Sequence, residues 1–258
     1  MVMSVLKRWQ AGVIAVTAAV AVTPQAKTHT IMLCRPYQHI TTVGSAGARY
    51  IVRNDNFGGW AECLSNLNHW SNFKVRTSKA DSSGPESMAY PDIFRGCSWG
   101  ICSPRSGLPA RAGRMRKLST SWYTTLHASG LWAATYDLWF DRKRRISGQN
   151  NGAELMIWLD TRGFPADRAP IVWVDHTRWH VQRWIVARSG KRWNYIQFRR
   201  VRPTNHVHRL GLVPFIRVSQ KHGWIRPSWW LTGVEAGFEI WRGGAGLATT
   251  RFWTGRPE

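Results

Sequence analysis

Short apolar and aromatic segments recur along this 258-residue chain, and glycine, proline, serine or asparagine separate each one from the next. Segments such as 131–140 and 193–198 are rich in the β-branched and aromatic residues that favour strands. Residues 212–218 are a candidate for one short helix, and no long segment repeats its apolar residues with helical spacing. The pattern therefore predicts an all-β fold in which the strands pack as a sandwich.

The N-terminus has the features of a secretory signal peptide. Lys7 and Arg8 precede an apolar run at about 11–22, which is too short to be a membrane anchor. We therefore predict a signal at 1–26 and one domain at 27–258. We expect the protein to be secreted and extracellular, without a membrane anchor, and to be a monomer.

Four cysteines lie in the predicted domain: Cys34, Cys63, Cys97 and Cys102. An even number in an oxidising compartment indicates two disulfides, for which three connectivities are possible. The short spacing of Cys97 and Cys102 favours a bond between them, which leaves Cys34 to pair with Cys63. A zinc site is the alternative, although the pairs of cysteines two residues apart that usually bind zinc are absent.

The chain has 36 lysine and arginine residues against 14 acidic ones, a formal net charge of +22. Such a charge, together with 17 tryptophans, is compatible with a protein that binds nucleic acid. The charge is spread along the chain, however, and no nucleic-acid-binding motif is present, so we expect no specific nucleic-acid partner. His206 and His208 have no acid or cysteine close in sequence, and we predict neither a metal nor a cofactor.

Most acidic residues lie in polar or turn-rich sequence, where solvent exposure explains them. These are Asp55, Glu62, Asp81, Glu86, Asp92, Asp141, Asp167, Asp175 and Glu258. Four others, Asp137, Glu154, Glu235 and Glu239, lie within apolar strands. Burying a bare carboxylate is costly, so each of the four must be hydrogen-bonded, paired with a cation or functional. For Glu235 taken alone, a pair with one of the many arginines is the favoured interpretation.

Two of these four carboxylates share a strand face with tryptophan. Because successive side chains of a strand point to opposite faces, Glu154 shares a face with Met156 and Trp158. Glu239 shares a face with Trp241 in the same way, and the residues between are apolar and suited to a core. Two carboxylates in an aromatic-lined groove are typical of glycoside hydrolysis: one acid protonates the departing oxygen, and the other attacks the anomeric carbon or activates water.

Several segments, taken in order, resemble glycoside hydrolase family 12. The two most characteristic read Glu-Leu-Met-Ile-Trp-Leu at 154–159 and Gly-Phe-Glu-Ile-Trp at 237–241. Other similar segments lie at 89–91, 96–100, 136–140, 151–153 and 227–231. The resemblance covers most of the predicted domain. Members of this family are secreted endo-β-1,4-glucanases, and some act on xyloglucan.

The resemblance implies a concanavalin-like β-jelly roll, a sandwich of two antiparallel sheets whose concave sheet forms the substrate cleft. It implies the cysteine pairing favoured above. It also implies hydrolysis of β-1,4-glucosidic bonds in cellulose or related β-glucans by a retaining double displacement. A xyloglucan-specific endoglucanase and a non-catalytic or degenerate carbohydrate-binding relative are the alternatives. The expected partner is a β-glucan polysaccharide.

The resemblance also implies roles for individual residues. Glu154 matches the nucleophile, Glu239 the acid/base, and Asp137 the acid that hydrogen-bonds the nucleophile. The expected substrate-binding residues are Asn56, Phe57, Met156, Trp158 and Trp241; Phe57 matches an aromatic, usually tryptophan, that stacks on a sugar. Because cations are abundant, we expect them to lower the pKa of both catalytic carboxyls and to give an acidic optimum of activity.

Overall fold

A computed structural model describes residues 28–188 and 190–258, so the predicted signal at 1–26 lies outside the described residues. The described residues form eighteen strands, one 3₁₀ turn at Ser45–Gly47 and one α-helix. In chain order the elements are β1 (Thr30–Leu33), β2 (His39–Val43), β3 (Arg49–Arg53), β4 (Glu62–Leu67), β5 (Phe73–Ser78), β6 (Ala80–Asp81), β7 (Asp92–Ser98), β8 (Ile101–Cys102), β9 (Ala110–Arg111), β10 (Ser119–Thr125), β11 (Gly130–Asp141), β12 (Ala153–Arg162), β13 (Ile171–Val174), β14 (Thr177–Arg188), β15 (Lys191–Arg200), β16 (His206–Gly211), α1 (Val213–Lys221), β17 (Trp230–Gly243) and β18 (Ala248–Thr254).

The strands form two sheets. The smaller sheet has the order β1-β4-β5-β18-β10-β16. The larger sheet has the order β13-β14-β15-β12-β11-β17-β7-β3-β2, and the short strands β6, β8 and β9 pair at its margins. Neighbouring strands are antiparallel except β12 and β15, which are parallel. This arrangement is the predicted β-jelly-roll sandwich.

One apolar core lies between the two sheets. Leu155, Ile157 and Leu159 of β12 are buried in it, as are Phe238 and Ile240 of β17. The predicted alternation of faces along these two strands is therefore confirmed. Each such side chain contributes about 1.5–3 kcal/mol by burial. A slip of one residue would turn the whole set toward the other face, so the apolar pattern fixes the register.

The single described helix, α1, covers one end of this core and confirms the helix predicted at 212–218. Its Phe215 packs edge-on against Trp179 and Phe198, with ring centroids 5.0 and 5.2 Å apart. No helix in the described part of the chain is long and apolar enough to cross a lipid bilayer.

Three acids that were predicted to be solvent-exposed are buried instead: Glu62, Asp92 and Asp141. Asp92 pairs with Arg53, and Asp141 accepts hydrogen bonds from two backbone N–H groups. Glu62 begins β4, and burial raises the pKa of its carboxyl to about 7. The prediction was wrong because polar neighbours in sequence report local composition, whereas burial depends on which distant strands fold over the residue.

The two disulfides join Cys34 to Cys63 and Cys97 to Cys102. The favoured pairing is confirmed, and the alternative of a zinc site is contradicted. The first disulfide ties the segment after β1 to β4, and the second closes the β7–β8 hairpin, where the two cysteines are partners in register.

Removing the first disulfide is expected to destabilise the protein more than removing the second. Cys34 and Cys63 are separated by 29 positions and Cys97 and Cys102 by 5, and a longer loop loses more entropy in the unfolded chain when it is closed. We expect the double serine variants to lose about 3–4 and about 2 kcal/mol of unfolding free energy, respectively. Urea unfolding of the two variants checks this, and the reverse ranking would contradict it.

Candidate active site

Three carboxylates project from three adjacent strands of the larger sheet, on the face that points away from the core. We call this the outer face. Asp137 lies on β11, between Glu154 on β12 and Glu239 on β17. In register, Asp137 is opposite Met156 on one side and Glu235 on the other. The pairing of β11 with both neighbours thus brings together acids that are distant in sequence.

Glu154 is held by a tryptophan indole. Trp193 Nε1 donates a hydrogen bond to Glu154 Oε2 at 2.6 Å. Trp193 lies on β15, the parallel neighbour of β12, and its ring packs 5.9 Å from that of Trp139. Burial, with a smaller effect from the charge of Glu239, raises the pKa of Glu154 to about 8 although the indole hydrogen bond acts in the opposite direction. The two glutamates therefore interact directly through their charges.

Glu239 has a less polar setting. Ser87 Oγ donates to its Oε1 at 3.4 Å, and in the described part of the chain its buried Oε2 has no hydrogen-bond partner. Burial raises the pKa of Glu239 to about 7. A carboxyl group with a pKa near neutrality can keep its proton at working pH, which a general acid requires.

Asp137 is buried at the centre of this group. Burial, followed by the charges of Glu154, Glu235 and Glu239, raises the pKa of Asp137 well above its ordinary value. Because like charges at short range cannot all ionise easily, the ionisation of Asp137 depends on the charges around it.

The apolar residues that were predicted to line the cleft lie together. Met156, Trp158 and Trp241 belong to a second apolar cluster on the outer face, separate from the core. Phe164 packs edge-on against both tryptophans at 5.2 and 5.0 Å. Trp158 is 5% exposed and Trp241 7%. With so little ring surface free, they shape the floor rather than present an open face to a sugar.

Asn56 and Phe57 approach the acids from beyond β17. Asn56 pairs with Ala89 in an isolated bridge, and Ala89 pairs with Ile240 of β17. The buried Asn56 amide donates to the carbonyl of Trp60. Phe57 is 43% exposed, so its ring is open for stacking.

Beside the acids, one buried guanidinium joins three further carboxylates. Arg53 Nη2 lies 2.7 Å from Asp92, 2.9 Å from Glu235 and 3.0 Å from Asp55. Arg53 Nη1 also donates to Ser98 Oγ at 2.9 Å. The favoured interpretation of Glu235, a pair with an arginine, is confirmed. Asp55 was predicted to be exposed. It is mostly buried instead, and it pairs with Arg53 in this network.

Trp193 and Ser87 contact the acids but were not predicted from the sequence. A signal for Trp193 was available: Trp193 and Tyr195 alternate with Ile196 and Phe198, whose side chains are buried in the core. That alternation places the two aromatics on the outer face. Ser87 lies in a loop, and its sequence carries no comparable signal.

The expectation that cations lower the pKa of Glu154 and Glu239, the two predicted catalytic acids, is wrong. Burial raises both values, and no lysine or arginine contributes to the shift of Glu154 or Glu239. Removal of water from a carboxylate acts directly on its charge, whereas cations on the surface are separated from it and screened.

A two-sheet jelly roll with paired carboxyls over an aromatic floor defines a class of proteins, the jelly-roll glycoside hydrolases. The sequence model of glycosyl hydrolase family 12 matches residues 49–256. The chain belongs to this family, and it is a glycoside hydrolase, an endoglucanase that acts on β-1,4-glucans.

Individual relatives agree with this assignment. The chain is 30% identical to Endoglucanase S of Pectobacterium parmentieri over 171 residues, which is 64% of either chain. A metagenome-derived family 12 endoglucanase has a structure with a TM-score of 0.80 and 36% identity, covering 88% of this chain and 97% of its own. Endoglucanase cel12A from Rhodothermus marinus has a TM-score of 0.77 and 38% identity, covering 87% and 97%.

Proposed function

We propose that this protein is a secreted endoglucanase that hydrolyses internal β-1,4-glucosidic bonds with retention of configuration, with Glu154 as nucleophile and Glu239 as acid/base. The observation that carries the proposal is the pair itself. Two buried carboxyls on the outer face interact through their charges, and both have pKa values near neutrality. Such a pair can hold a single proton; double displacement requires that proton on Glu239, although Glu154 has the higher of the two pKa values, about 8 against about 7.

In the first step, the Glu154 carboxylate attacks the anomeric carbon while Glu239 gives its proton to the departing glycosidic oxygen. The product is a covalent glycosyl ester on Glu154, and the leaving chain carries the proton away. In the second step, Glu239 takes a proton from water, and that water attacks the anomeric carbon and releases Glu154. Throughout, the Trp193 indole holds one oxygen of Glu154 and directs the other toward the substrate.

Retention requires the two carboxyl groups to lie about 5–5.5 Å apart, whereas inversion needs room for a water molecule between them. Proton NMR of the first products tests this step. Initial appearance of the β-anomer is expected, and initial appearance of the α-anomer would overturn the mechanism.

The proposed substrate is an unbranched β-1,4-glucan or a mixed-linkage β-glucan. The support is the similarity of this chain to two endoglucanases: it is 36% identical to the metagenome-derived enzyme and 38% identical to cel12A from Rhodothermus marinus. Reducing-sugar release from carboxymethyl cellulose, barley β-glucan and xyloglucan measures the ranking. Faster release from the first two supports the proposal. Faster release from xyloglucan would replace it with a xyloglucanase, and no release from any would refute hydrolysis.

We also propose secretion, for which the two disulfides are the structural support, since such bonds persist in oxidising compartments. Fractionation of the producing cells tests it. Recovery of the protein in the medium with both disulfides intact is expected.

The pH dependence of kcat/KM is expected to be bell-shaped with an optimum near neutrality. The pKa values of Glu154 and Glu239, about 8 and about 7, are both raised. At acidic pH both carboxyls are protonated and the nucleophile is lost; at alkaline pH both are ionised and the acid is lost. The single-proton state lies between these limits, and the two limbs report values that belong to the pair.

A pH–rate profile on soluble β-glucan checks this, with Trp193→Phe as a matched variant. The indole N–H lowers the pKa of Glu154, so removing this donor raises that pKa. Because Glu154 has the higher of the two pKa values, the alkaline limb is expected to move to higher pH. An optimum on the acidic side, which the sequence predicts, would contradict burial as the dominant effect.

A further inference from the structure

A tryptophan that the mechanism does not use lies in register with Glu154. Trp184 of β14 is opposite Tyr195 of β15 in register, and Tyr195 is the partner of Glu154 on β12. Glu154 is in turn opposite Trp139 of β11. These four side chains form one row across four adjacent strands of the outer face, perpendicular to the strand direction.

Trp184 is held in place by its neighbour in this row. Its ring stacks on that of Tyr195, with centroids 4.4 Å apart and planes inclined by 24°. Tyr195 packs against the apolar floor cluster, and burial, then the charges of Glu239 and Glu154, raise its pKa. Tyr195 therefore lies next to the acids. Trp184 is still 42% exposed, so part of an oriented indole remains open to ligand.

Trp184 lies outward from Glu154 along this row. Two strand spacings, about 10 Å, separate the two residues. Glu239 is not in the row, because it is opposite Ala133, six positions from Trp139 on β11. The bridge from Asn56 through Ala89 reaches β17 at the neighbouring Ile240. A glucan that is bound at Glu154 and extends along the row toward β14 therefore reaches Trp184.

The hairpin that carries Trp184 also reaches the acid/base side of the site. Arg188 Nη1 at the end of β14 lies 3.6 Å from Glu86 Oε2, and the adjacent Ser87 contacts Glu239. The pair is exposed and contributes little to stability. The contact shows that the end of β14 lies close to the loop that contacts Glu239.

We propose that Trp184 is a distal sugar-binding residue whose indole stacks on a pyranose ring of a long β-1,4-glucan chain. The C–H face of a pyranose is apolar and matches an exposed indole, while the sugar hydroxyls stay in water. The proposal rests on the proposed function. Since Trp184 is far from the reacting bond, it contributes affinity for long chains and takes no part in the chemistry.

The test measures binding, so that it does not depend on turnover. Isothermal titration of Glu154→Gln with cellotriose and with cellohexaose gives the gain in affinity on lengthening the chain. Adding Trp184→Ala is expected to reduce this gain about threefold to tenfold, the range of one aromatic stacking contact. Trp184→Phe is expected to retain part of it, because a smaller ring still stacks.

Trp70→Ala in the same background is the matched control. Trp70 is 55% exposed and bridges Val43 of β2, at the opposite end of the larger sheet from β14. Its removal is therefore expected to change the affinity for neither cellotriose nor cellohexaose. An unchanged gain after Trp184→Ala, an equal loss for both ligands, or no binding of cellohexaose by Glu154→Gln would overturn the proposal. Hydrolysis of β-glucan by the unaltered protein, measured in parallel, tests the proposed function separately.

Discussion

Glu154→Gln is expected to lower kcat on β-glucan by at least about 10³-fold, and Glu239→Gln by about 10²–10⁴-fold. Glutamine keeps the shape of each side chain but can neither attack the anomeric carbon nor give up a proton. The fold should persist in both variants, because each change removes a carboxyl whose ionisation burial opposes. Reducing-sugar release and a thermal melt, measured on the same samples, separate lost chemistry from lost structure.

The two variants are further expected to differ on an activated substrate. A dinitrophenyl cellobioside has a leaving group that needs no proton, so Glu239→Gln should still form the glycosyl ester and release a burst of phenol. Glu154→Gln should release none. Asp81→Asn, a change at an exposed acid, is the matched control and should be as active as the unaltered protein. Equal behaviour of both catalytic variants on this substrate would contradict the assigned roles.

Arg53→Met is expected to lower the unfolding free energy by about 3–5 kcal/mol, the typical cost of breaking a buried ion pair. Methionine fills similar space but leaves Asp92 and Glu235 buried without their cation. The loss of stability comes from burying these two carboxylates without a cation. The attraction within the intact ion pairs adds little net stability, because the cost of removing three ions from water offsets it. Urea unfolding measures the loss.

The sign of the pH dependence follows from the same network. Without Arg53, the folded-state pKa of Asp92 rises further above the unfolded value of about 4. A carboxyl with a raised folded-state pKa stabilises the fold below the unfolded pKa, and that stabilisation is lost as pH rises. The deficit of Arg53→Met is therefore expected to shrink toward acidic pH. Arg49→Met, an exposed change on the same strand, should show no comparable loss; a deficit that grew on acidification would refute this account.

The strands and their faces were predictable from sequence because they follow from local periodicity. A strand alternates its side chains whatever its partners are, so Leu155 and Ile157 had to point one way and Glu154 and Met156 the other. The apolar set is buried between the sheets, as expected. The disulfide pairing followed from the close spacing of two cysteines, which left one choice for the others.

Contacts between distant strands were decided by the tertiary structure. Trp193 reaches Glu154 because β15 lies parallel to β12, a pairing with no local signal in either strand. Arg53 finds Asp92 and Glu235 because β3, β7 and β17 are neighbours in one sheet. Such contacts depend on strand order and register, which are properties of the whole sheet rather than of any segment.

The pKa values of the acids also separate what the sequence predicts from what the fold decides. Composition alone suggested that many cations would depress the pKa values of the catalytic carboxyls, yet burial raises those of Glu154 and Glu239. The sequence determined which side chains share a face, because covalent geometry sets that at short range. The fold alone determined how much water and which charges surround each group, because both depend on packing between segments far apart in the chain.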